Sequence, residues 1–80
     1  MQLWTMAMDL NTKTIRMMWT FVETSNPYNL LMLSDRELIQ QLLEQIESVT
    51  FLSSEDNQIL SKYIGSRTLL IRDLVYSKIG

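Results

Sequence analysis

With neither histidine nor cysteine among its 80 residues, this chain could only do chemistry with Asp, Glu, Lys, Tyr or Ser. That removes disulfides, thiol nucleophiles, zinc sites of the usual ligand sets and every Ser-His or Cys-His pair. Two acidic groupings are dense enough to weigh. Glu44 and Glu47 stand three apart, so on a helix they share a face and could hold a hard cation, though weakly without an imidazole. A solvated helix face accounts for them more simply. Glu55 and Asp56 suit the positive end of a helix, which explains them without a site. The only glycines are Gly65 and Gly80, so neither a phosphate-cradling loop nor a dinucleotide fingerprint can be written. These residues predict a protein that is not an enzyme and takes no metal or cofactor.

One segment invites a binding reading. ILSKYIGSRTLLIRDLV, within residues 57–76, reads as two short helices around a glycine, with Ser61 where the first helix of a helix-turn-helix needs a small residue. The segment resembles the DNA-binding element of bacterial regulators. That likeness would turn Ser66, Arg67, Thr68 and Arg72 towards bases and phosphates. Three features weigh against it. Gly65 meets Ser66 directly where such elements place an apolar residue, the outer side of the second helix goes to Leu69 and Tyr76, and the chain carries a net charge of −2. The electrostatic attraction behind most non-specific DNA affinity is therefore missing, and DNA binding is the second reading rather than the first.

The elements that must position these residues are helical. From Asn11 or Thr12, either a good N-cap, TKTIRMMWTFVE places Ile15, Met18, Trp19 and Val22 at helical spacing, and SNP ends the run. Met17 and Phe21 fall beside that stripe, while Lys13, Arg16 and Thr20 form the wet face. Asn26 can cap a short turn that begins at Pro27 and carries Tyr28, Leu30 and Leu31. In LSDRELIQQLLEQIESV, Ser34 and Glu37 make a capping box and Leu33 and Leu38 a hydrophobic staple. The stripe there is Leu38, Ile39, Leu42, Leu43, Ile46 and Val49.

Ser53 and Ser54 compete to cap the next helix, whose Ile59, Leu60, Tyr63 and Ile64 face inward, with Gly65 as its C-terminal cap. Ser66 can cap a last helix with Leu70, Ile71, Leu74 and Val75 as its core stripe. The alternative is one long helix bent near Gly65. The expectation is an all-α bundle of three to four helices at about 12–24, 35–49, 54–64 and 66–78. Residues 1–80 make one domain. Near-alternating Leu3, Trp4, Met6, Met8 and Leu10 suggest an extended arm over 1–10.

At TKTIRMMWTFVE, the acidic helix after LSDREL, and YIGSRTLLIRD, the chain resembles small uncharacterised helical proteins found in cyanobacteria, over most of residues 12–78. That resemblance implies a cytoplasmic accessory or regulatory role and brings no catalytic residue with it.

The apolar fraction, 46%, decides the functional expectation. A chain this short hides only about 60% of the surface its unfolded form exposes, so it must bury most of its apolar side chains or share some with a partner. The sequence therefore predicts a protein-interaction module that self-associates as a homodimer through Trp4, Met17, Phe21, Leu69 and Tyr76. A contact with a different protein through the acidic face of Glu44 and Glu47 is a further expectation. No apolar run approaches the roughly 18 residues that span a bilayer, and the first ten residues lack the basic flank of a secretory signal, so a cytoplasmic location without a membrane is expected.

Overall fold

The computed structural model describes residues 12–79, and among them every regular element is an α-helix. Helix α1 spans Thr12–Thr24, α2 Pro27–Met32, α3 Asp35–Glu47, α4 Ser54–Gly65 and α5 Thr68–Ile79. Five helices thus stand where three to four were expected, because the short turn after Pro27 is a helix in its own right. The expected arm over 1–10, with Trp4, lies outside the described residues.

Local chemistry sets the boundaries. Thr20, Thr24 and Ser25 each return their hydroxyl to the carbonyl four residues earlier, which satisfies polar groups on the outer and closing turns of α1. Asn26 then caps α2, its Oδ1 accepting from the amides of Tyr28 and Asn29, with Pro27 at a position that has no amide to satisfy. Ser34 caps α3 in a full capping box: the Glu37 amide donates to Ser34 Oγ, and the Ser34 amide donates to Glu37 Oε1 at 2.9 Å. Ser53, not Ser54, caps α4, and it does so through a second box with Asp56.

Two ends differ from the sequence expectation. Helix α3 stops at Glu47 rather than 49, where Ser48 Oγ donates to the Gln45 carbonyl and the amides of Val49 and Thr50 both turn back to Ile46. Val49 therefore leaves the stripe and is exposed. Nor does Ser66 open α5. Its hydroxyl donates to the Tyr63 carbonyl and closes α4, and the first bond of α5 runs from the Ile71 amide to the Arg67 carbonyl. Gly65 is the last residue of α4 with Ser66 as the cap, so the break is a two-residue turn between separate helices, and no described glycine has a positive φ.

Helices α3 and α4 form an antiparallel hairpin. At its tip Asn57 Nδ2 donates to Glu47 Oε2 at 2.8 Å, and towards its open end a Cβ on Gly65 would meet Ile39 Cδ1 at 3.5 Å. Both pairs fit one register. Helix α1 packs on α3, and Trp19 Nε1 reaches across to donate to Tyr63 Oη of α4. Helix α5 lies mainly along α2 and also touches α1. Arg72 Nη2 donates to the carbonyl of Leu33, and Lys78 Nζ donates to that of Glu23, so α5 runs antiparallel to the chain between those residues. The core takes one face from every helix: Met18 and Val22, Leu30, Leu38 with Leu42 and Ile46, Leu60 with Ile64, and Ile71 with Val75.

Candidate functional site

Helix α5 is apolar on almost every side, with Leu69, Leu70, Ile71, Leu74, Val75, Tyr76 and Ile79 among its 12 residues. A helix of that kind belongs inside a core. Here Thr68, Ile71 and Val75 are the residues buried, on the side where α5 meets α2 and α1. Leu69 is 77% exposed, Tyr76 67%, Leu70 48% and Leu74 45%. Leu70 and Leu74, expected in the core stripe, thus join Leu69 and Tyr76 on the outside. On α2, the helix alongside, Met32 is 82% exposed and Tyr28 is also open.

Of the expected interface residues, Leu69 and Tyr76 are on this outer face. Met17 and Phe21 are half-buried and packed against the core, so α1 offers less free apolar surface than its wide stripe suggests. Leu70, Leu74, Met32 and Tyr28 are surface residues that sequence reasoning missed. The signal available was the breadth of the apolar arc on α5, which no single core contact could cover. A smaller apolar patch, Val49 and Phe51, sits just after α3.

The four residues that a helix-turn-helix would present are engaged within the protein. Thr68 is buried. Ser66 Oγ donates to Tyr63 and accepts from Arg67 Nη1, while the Arg67 guanidinium lies 3.9 Å over the Tyr63 ring. Arg72 is held by Asp35 and by the Leu33 carbonyl. The second helix of the segment packs on α2.

Between α3 and α4 runs a shallow groove of about 510 Å³, lined by Arg36, Ile39, Gln40, Leu43, Glu44 and Glu47 of α3 and by Asn57 and Ser61 of α4. Glu47 is tied to Asn57, and Glu44 is exposed. No group of three or more carboxylates among the described residues is placed to hold a metal ion, and no described helix is long and apolar enough to cross a membrane. Neither a family model, nor a curated protein, nor a solved structure shows significant similarity to the chain.

Proposed function

We propose that this chain is a non-enzymatic protein-interaction module that associates with a second copy of itself through the outer face of α5. The observation that carries the reading is a helix apolar on nearly all sides that the other described helices cover on one. Exposed apolar patches above a few hundred Å² usually mark contact sites. Leu69, Leu70, Leu74 and Tyr76 are exposed on α5, as are Met32 and Tyr28 on α2. The solution mass tests it. Sedimentation at tens to hundreds of micromolar should give twice the chain mass of 9.4 kDa, and a mass that stays at 9.4 kDa throughout would sink the proposal.

The groove between α3 and α4 favours a second reading, in which an apolar floor and the Glu44 and Glu47 wall accept a basic segment of a different protein. A fluorescent basic amphipathic peptide should then bind, and Glu44→Lys with Glu47→Lys should abolish that binding. Equal binding by the double variant rules the reading out.

A further inference from the structure

Helices α1 and α3 each carry a polar stripe on a side turned away from the core. On α1 it is Lys13, Arg16, Thr20 and Glu23; on α3 it is Arg36, Gln40, Glu44 and Glu47. Every one of these residues is exposed, and the α3 stripe lines the groove against α4. Neither stripe is neutralised within the fold. The ion pair among the described residues, Arg72 with Asp35, involves none of them. Glu47 accepts from neutral Asn57 through Oε2, Thr20 donates to the Arg16 carbonyl, and Glu23 offers Lys78 its carbonyl. The side chains of Lys13, Arg16, Glu23, Arg36 and Glu44 have no hydrogen-bond or ion-pair partner among the described residues.

The two stripes are complementary in one direction. Read from its start, α1 is basic, basic, neutral and acidic, at steps of three, four and three residues. Read from its end, α3 is acidic, acidic, neutral and basic, at steps of three, four and four. With a rise of about 1.5 Å per residue, the two ladders stay within about 1.5 Å of each other throughout. Laid antiparallel, Lys13 meets Glu47, Arg16 meets Glu44, Thr20 meets Gln40 and Glu23 meets Arg36. Laid parallel, Lys13 would meet Arg36 and Glu23 would meet Glu47, with like charges opposed at both ends. We propose that α1 of one copy lies antiparallel in the groove between α3 and α4 of another, held by these pairs. The contact does not rest on α5, and it gives the groove an occupant from this chain itself. Exposed ion pairs are individually weak and screened by salt, so the pairing forms at high concentration and disperses as ionic strength rises.

The test uses the full chain carrying Leu69→Asp, so that α5 contributes no contact, in sedimentation equilibrium at about 1 mM protein, where weak contacts register. At low salt this parent should associate, and at high salt it should not. Lys13→Glu with Arg16→Glu, and separately Glu44→Lys with Glu47→Lys, oppose like charges in the contact, and each should weaken it about tenfold or more. All four changes in one chain restore the complementarity at the parent's own net charge, so association should return. Double variants that associate as the parent does, or a fourfold variant that stays dispersed, overturn the pairing and leave the α5 reading standing. A parent that is monomeric at low salt also overturns it, while the wild-type mass decides α5 separately.

Discussion

Arg72 and Asp35, 37 positions apart, form the one ion pair seen among the described residues, with Arg72 Nη2 2.8 Å from Asp35 Oδ1. The same nitrogen donates to the Leu33 carbonyl at 2.8 Å. A single side chain thereby ties α5 to the junction of α2 and α3, and its two anchors contribute unequally. Asp35 is two-thirds exposed, where an ion pair adds only about 0.2–1 kcal/mol, while the carbonyl belongs to Leu33, the half-buried C-cap of the short α2.

Arg72→Ala should therefore cost about 1–2 kcal/mol of unfolding free energy, and Asp35→Asn less than half of that. Urea denaturation followed by circular dichroism checks both. Equal losses would mean that the ion pair, not the carbonyl contact, holds the helix down.

The two capping boxes predict a matched pair of effects. Ser34→Ala and Ser53→Ala each remove an acceptor from an N-terminal amide, and each should cost about 1 kcal/mol. The reciprocal arm is less equal: Glu37 reaches the Ser34 amide at 2.9 Å, but the shorter Asp56 reaches that of Ser53 only at 3.4 Å. Glu37→Ala should accordingly destabilise more than Asp56→Ala, as measured by thermal unfolding midpoints.

Those caps show what was legible in the sequence. Ser34 with Glu37, and Asn26 before Pro27, state a helix start through residue types alone, and the structure has helices there. The box at Ser53 was harder to read, because Asp is one methylene short of the usual partner at that position. The site was legible only in part. On α3, polar residues fill one side and periodicity singles out Leu38, Leu42 and Ile46. On α5, apolar residues run round the helix, so spacing could not say that Ile71 and Val75 would be covered and Leu70 and Leu74 left open. That choice is made by α2, a neighbour whose position depends on the tertiary fold.

Trp19 and Tyr63 couple α1 to α4 through a hydrogen bond of 3.2 Å between the indole Nε1 and the phenolic oxygen. Tyr63→Phe removes the acceptor but keeps the ring on which Arg67 rests. In a Trp4→Phe background, which leaves Trp19 as the sole tryptophan, this change should alter its emission and cost about 0.5–1.5 kcal/mol. Tyr63→Ala also loses the stacking surface and should cost more, so equal losses for the two variants would leave the hydrogen bond as the whole interaction.

Phe21 and Leu69 look alike in sequence as apolar side chains beside a core stripe, yet the structure separates them. Phe21 is half-buried against the core, and Leu69 is 77% exposed. A carboxylate at position 21 must be placed among apolar side chains, at a cost of several kcal/mol in a domain whose total stability is about 5–15 kcal/mol. Phe21→Asp should therefore lose much of its helical circular dichroism at 25 °C. Leu69→Asp should keep its helicity and its unfolding midpoint as a monomer, and change only the solution mass, adding a second negative charge to a face that already carries Asp73. A folded Phe21→Asp that is merely monomeric would place Phe21 in the interface after all, and a Leu69→Asp variant that stays dimeric would move the contact off α5.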